Sequence, residues 1–148
     1  MESVWSDWHP PSTPHFEKDG GIWPVHCVAD TWGAEFHPDL LVNGPVVRKG
    51  SNGEDGYSGF TMRDPETGET EPTELDDLLR AARVRHVFVA GLATDYCVLS
   101  TALDAHAHDY STTVLGSAIR AVDLAEGDGE RAIEELRQAG VSVDDDPR

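Results

Sequence analysis

The sequence predicts an α/β domain: a three-layer, open and mostly parallel sheet covered by helices. Two observations carry that expectation. From residue 46 onward, strand-like and helix-like segments alternate, which is the pattern of a parallel sheet with helical crossovers. One of those strands is a continuous apolar run, as expected for a strand buried on both faces. At 148 residues the chain has the size of one domain with a real core, and residues 1–148 are read as that single domain.

The elements follow in order. Val46-Val47-Arg48 is a short strand. Thr73 can cap a helix whose apolar positions Leu75, Leu78, Leu79 and Ala82 keep the helical period. His86-Val87-Phe88-Val89-Ala90 is the apolar strand, and a helix from about Asp95 to His108 places Val98, Ala102 and Ala105 on one side. Thr112-Thr113-Val114-Leu115 is the next strand. Asp128 can cap a last helix with Ala132, Ile133, Leu136 and Ala139 inward, which Gly140 stops before Val141-Ser142-Val143. Residues 1–45 are punctuated by Pro10, Pro11, Pro14, Pro24 and Pro38 and by Gly20, Gly21 and Gly33, too often for long elements. Three of the four tryptophans and three of the seven histidines nevertheless lie before residue 30. A loop-rich stretch so dense in chemistry reads as a site.

Composition narrows the function. The 28 acidic and 11 basic residues leave a net charge of −17, a field that repels phosphate backbones and argues against nucleic acid. No apolar run has the length of a membrane span, and the N-terminus lacks the layout of a signal peptide. Two cysteines, Cys27 and Cys97, make no disulfide framework, and the expected compartment is the cytoplasm.

Three constellations bear chemistry. In Gly91-Leu92-Ala93-Thr94-Asp95-Tyr96-Cys97 the chain leaves a buried strand and enters a helix, so Cys97 falls in the first helical turn. Backbone N–H groups and the helix dipole there favour a thiolate and suit an oxyanion. The competing reading is a small hydrophobe packing helix on sheet. Lys49 ends a strand before Gly50, and an amine there can steady a thiolate or simply face solvent. Asp7-Trp8-His9-Pro10-Pro11 sets a carboxylate and an imidazole two residues apart, on one side of an extended segment. With His15 and His26 nearby, one carboxylate and two or three histidines can hold a single divalent ion with open positions, which suits Zn²⁺, Fe²⁺ or Mn²⁺.

Val89-Ala90-Gly91-Leu92-Ala93-Thr94-Asp95-Tyr96-Cys97-Val98 resembles the nucleophile motif of the nicotinamidase/pyrazinamidase branch of the isochorismatase-like cysteine hydrolases. Val47-Arg48-Lys49-Gly50, followed by Gly56-Tyr57-Ser58-Gly59-Phe60, is similar to the lysine segment and tyrosine loop of that family. Asp7-Trp8-His9-Pro10-Pro11 and Trp23-Pro24-Val25-His26-Cys27 resemble its two metal segments, and Gly33-Ala34-Glu35-Phe36-His37-Pro38-Asp39-Leu40 the stretch that follows. The resemblance implies Cys97 as nucleophile, Lys49 as catalytic lysine, and the backbone amides of Ala93 and Cys97 as oxyanion hole. A cis peptide between Leu92 and Ala93 is implied with them. It further implies Asp7, His9 and His26 as metal ligands with His15 as a further one, and Trp23 and Tyr57 as walls of a flat aromatic pocket. In such enzymes the ion binds the pyridine nitrogen of nicotinamide while the cysteine attacks its amide. Cys27 reads as a packed neighbour of His26, and His37 as structural.

The resemblance also implies a general-base aspartate after the first strand, and no motif here supplies it. The expected fold therefore lacks its first strand and helix, roughly 40 residues at the size of a βαβ unit. Loss of a middle strand would divide the sheet in two. The expected function is hydrolysis of nicotinamide and pyrazinamide-like amides to acid and ammonia, in pyridine nucleotide salvage for NAD biosynthesis. A small-molecule amide is then the partner, and a homo-oligomer is allowed. The alternatives are an inactive truncated remnant and another small-amide hydrolase of the superfamily.

Overall fold

The computed structural model describes residues 2–145. The chain divides into two compact units, Met1–Leu75 and Asp76–Arg148.

In the first unit, strand β1 (Val4–Asp7) pairs in parallel with β2 (Val46–Lys49), in a register that sets Asp7 opposite Lys49. Between them the chain makes only two single turns of 3₁₀ helix, Glu17–Asp19 and Trp32–Ala34, as the proline and glycine density predicts. Strands β3 (Thr61–Arg63) and β4 (Thr70–Pro72) form a small antiparallel pair. Phe16, Val47 and Phe60 are the buried centre of this unit.

Helix α1 (Leu75–Ala81) begins where the sequence expects it, with Leu75 N–H donating to Thr73 Oγ1 at 3.2 Å. It stops before Ala82, which is exposed.

The second unit is built on a parallel sheet of β5 (His86–Leu92), β6 (Ser111–Arg120) and β7 (Ser142–Asp144), in the order β5-β6-β7. The parallel strands of the chain thus lie in two separate sheets. A π-helical turn (Thr94–Val98) leads into α2 (Leu99–Ala107), and α3 (Asp128–Gln138) precedes β7. Val89 and Val114 are register partners and fully buried, as are Val98, Ala102, Ala105 and Leu136.

Ala139 lies just past the last helix and is exposed rather than inward, and two further expectations need correction. The apolar strand is not buried on both faces: Phe88 is 62% and Leu92 72% exposed, and His86 stacks on Phe88 at 4.4 Å. Alternate side chains point to opposite faces, and in this unit only the face of Val89 is fully covered. Asp128 is not a cap but the first helical residue. The capping position is Gly127, in the left-handed region, and the Asp128 carboxylate instead accepts from Ala125 N–H and pairs with Arg131.

One polar cluster ties α1 to the turn before β6. The buried Tyr110 hydroxyl donates to Asp76 at 2.7 Å, with Arg80 and His108 beside the same carboxylate. Burial, reinforced by the hydrogen bond to Asp76 and its charge, pushes the Tyr110 hydroxyl up to about 12. An absorbance titration should therefore show one of the three tyrosines ionising only near that value. The unfolded chain releases the same proton near about 10, so this contribution to stability is complete below that pH. It is lost as pH rises through the folded value. Asp76→Ala should move the late ionisation to lower pH.

Candidate functional site

Parallel pairing of β1 with β2 brings Asp7 and Lys49 to the same level at the carboxyl ends of their strands. The buried Lys49 ammonium donates to Asp7 Oδ1, and to the Gly56 carbonyl at 3.3 Å. Burial acts to raise the Asp7 carboxyl, but the charge and hydrogen bond of Lys49, with His9 and His26, outweigh it and hold the group below its ordinary value.

Beyond β1 the chain is held by backbone pairing rather than by a long element. His9 N–H donates to the Cys27 carbonyl and Ala29 N–H to the His9 carbonyl, so the segment of His9 lies against the segment of His26 and Cys27. A second bridge joins Phe16 to Trp23. These two short pairings gather His9, His15 and His26 around the buried ring of Phe16. One ring nitrogen from each histidine lies within 4.8 Å of the others. The His9 and His15 rings stack at 4.7 Å. Gly50 completes the cradle: its φ is +75°, and a Cβ there would meet the His9 ring at 2.6 Å.

The protonation of the cluster follows from this packing. Burial drives the His9 imidazole down to about 4, and His15, His26 and Lys49 push the same way against the pull of Asp7. At neutral pH His9 is uncharged, and both its ring nitrogens are buried without a hydrogen-bond partner. His26 Nδ1 lies 2.7 Å from the Pro24 carbonyl, and His15 Nδ1 lies 2.9 Å from Asp55 Oδ1. Three imidazoles with lone pairs in reach of one point are a donor set that fits a divalent transition ion. Asp7 borders the set, with Oδ1 3.8 Å from His9 Nε2, while pairing with Lys49.

Trp23 and Tyr57 stand beside this cluster. Trp23 Nε1–H donates to the Tyr57 hydroxyl at 3.1 Å, and both rings flank His15 at 6.2 and 6.4 Å. Cys27 has a positive φ of 45° and serves the cluster through its backbone carbonyl. His37 is exposed and its Nδ1 accepts from Asp39 N–H, within a local turn.

In the second unit, β5 ends at Leu92, the Leu92–Ala93 peptide is cis, and Gly91 has a φ of +114°. Cys97 then lies in the π-helical turn, half-buried, where the sequence expects an ordinary first turn of α-helix. The turn is closed by Tyr96 and Val98 N–H donating to the Ala93 carbonyl. Single π-turns recur at functional sites because they displace one residue from the helical register.

Two acidic residues that sequence reasoning passed over hold these sites. Asp95 accepts from Val122 and Asp123 N–H at 3.0 and 2.9 Å and so clamps the cysteine turn to the segment after β6. Asp55 accepts from His15. That hydrogen bond holds its carboxyl below the ordinary carboxylate range, with partial burial opposing. Asp95 carries a local signal, an acid at a helix start; Asp55 carries none, lying 40 residues from its partner.

The sequence pattern of the isochorismatase domain matches residues 1–145. The chain is 34% identical over 155 residues to the nicotinamidase of Escherichia coli, covering 93% of this chain and 71% of that protein. The crystal structure of pyrazinamidase of Pyrococcus horikoshii in complex with zinc superposes with a TM-score of 0.82 at 36% identity, over 96% of this chain and 73% of that one. An L. infantum protein in complex with nicotinate superposes with a TM-score of 0.85 at 35% identity, covering 95% and 69%.

If the three imidazoles hold a metal, the purified protein reconstituted with zinc should retain about one ion per chain by elemental analysis. His9→Ala should lose most of it. Full metal content in that variant would remove His9 from the ligand set.

Proposed function

This chain belongs to the isochorismatase domain family, and within it we propose a nicotinamidase-type amidohydrolase, converting nicotinamide and pyrazinamide-like amides to the acid and ammonia. The observation that supports this most is the histidine triad beside Trp23 and Tyr57, because a metal is an anchor for a ring nitrogen and two aromatic side chains suit a flat heteroaromatic ring. An aliphatic amide offers no ring nitrogen for such an anchor and no flat ring for the aromatic pair. The similarity to the E. coli nicotinamidase, and to a relative solved with nicotinate, points the same way.

His9, His15 and His26, with Asp7 at their border, would hold one divalent ion, zinc, iron or manganese, which when bound supplies a Lewis-acidic anchor for the substrate ring. Trp23 and Tyr57 orient that ring, and their mutual hydrogen bond fixes the angle between them. Cys97 is the nucleophile. Its sulfur bonds to the carboxamide carbon, and the backbone amides of Ala93 and Cys97 take the developing oxyanion. The carbon–nitrogen bond then breaks, the nitrogen leaves as ammonia with the thiol proton, and water cleaves the thioester to acid and free thiol. Lys49, held by Asp7, supplies the fixed positive charge that opposes anionic build-up. A role in pyridine nucleotide salvage follows from this substrate class.

Ammonia release from nicotinamide tests the reading. Cys97→Ala should lower turnover by at least about a thousandfold, whereas Cys27→Ala should leave it near wild type. Alkylation at neutral pH should label Cys97 ahead of Cys27 by mass-spectrometric mapping. Turnover of aliphatic amides in preference to nicotinamide would favour the other small-amide hydrolases of the family. Faster labelling of Cys27 would overturn the nucleophile.

A further inference from the structure

We propose that Asp55 is a positioning residue for metal capture: it fixes the tautomer and orientation of His15 so that Nε2 presents its lone pair to the ion. The proposal rests on the reading of His9, His15 and His26 as a metal centre and extends it to a residue that binds no substrate and no metal.

The geometry begins with the Asp55 backbone. Asp55 pairs antiparallel with Arg63 through two hydrogen bonds of 2.6 Å, which ties it to the last residue of β3. Its Oδ1 accepts from Gly56 N–H at 2.8 Å and lies 2.9 Å from His15 Nδ1. The carboxylate oxygen can only accept, so the proton of a neutral His15 must sit on Nδ1. Nε2 is then the unprotonated nitrogen. The same logic operates at His26, whose Nδ1 donates to the Pro24 carbonyl. His9 has no such partner. Two of the three imidazoles, when neutral, therefore carry the lone pair on Nε2, one set so by a backbone carbonyl and one by a charged side chain.

Burial argues against an ordinary surface ion pair. The His15 side chain is 7% exposed and stacked between His9 and Trp23, so it has few rotamers to choose from and little water to bond. Without Asp55, the buried Nδ1–H would lose its acceptor, and the ring could turn or change tautomer to recover one. Gly56, the next residue, accepts from Lys49 through its carbonyl. The Asp55-Gly56 dipeptide thus links the lysine pair to the histidines.

The test uses zinc ion competed with a chromophoric chelator, and ¹⁵N NMR of the histidine rings in the zinc-free protein. Asp55→Ala should weaken zinc binding about 10- to 100-fold, and Asp55→Asn, which keeps an acceptor oxygen, should lose less. In the zinc-free wild type His15 should be the Nδ1–H tautomer, and in Asp55→Ala it should become a mixture. Should Asp55→Ala fail to fold, Asp55→Ser carries the comparison: a mixed His15 tautomer with weaker zinc affinity supports the role, and zinc affinity within about twofold of wild type overturns it. Wild-type zinc binding matched within about twofold by a folded Asp55→Ala overturns the positioning role alone. A wild type that takes up no zinc overturns the metal centre and this proposal together.

Discussion

The first unit depends on the pairing of Asp7 with Lys49. Neither group can be taken from water alone without a large penalty, and Lys49 is almost fully buried, so each requires the other. Parallel register delivers both from adjacent strand ends, and this fixes where the chain must turn next. On one side it turns into His9. On the other it turns through Gly50, whose missing Cβ is the space that the His9 ring occupies. The lysine–glycine dipeptide is thus a packing requirement of the histidine as well as a source of charge. Removing Asp7 would leave the buried Lys49 charge uncompensated beside the triad, and such losses typically cost about 3–5 kcal/mol in a buried setting.

Electrostatics explain why three imidazoles can share one small volume. Protonated, they would repel one another, and the buried His9 also loses the water that would stabilise its charge. Burial pushes His9 down to about 4, and the hydrogen bonds at Nδ1 of His15 and His26 leave their other nitrogens as acceptors. The outcome is three imidazoles gathered in one small volume of a chain of net charge −17. A long-range field of that sign concentrates cations near the surface without choosing among them. The choice lies with the donors, and nitrogen donors favour transition ions over magnesium or calcium.

Much of this was legible in the sequence, for a physical reason: the groups involved are coded locally. A strand that runs into a helix around a cysteine, two histidine segments rich in tryptophan and proline, and a lysine at a strand end each occupy a short window. The resemblance to one enzyme family rests on those windows, and the match over residues 1–145 agrees with it. What escaped is non-local or conformational. Asp55 meets His15 only because two loops close on each other. The π-turn at Cys97 depends on how the chain leaves β5, which apolar periodicity does not encode. The open face of β5 escaped because an apolar run announces burial without saying what will cover it. Asp128 was misplaced by one position because glycine, with no side chain to cap the helix, took the capping site by its backbone freedom.

The two units place their chemistry by one shared rule. Asp7 closes β1, Lys49 closes β2, and the Gly91-Leu92-Ala93 turn that leads to Cys97 closes β5. All three are carboxyl ends of parallel strands, where loops leave the sheet and backbone groups are freed from the ladder. The strand fixes the starting point and direction of each functional segment, and a short polar clamp then fixes its course. Asp95 does this for the cysteine turn by taking two backbone N–H groups, and Asp55 does it for the histidines by taking one imidazole. The apolar core decides that the strands form, but these carboxylates decide the course of the Cys97 turn and the setting of the His15 ring.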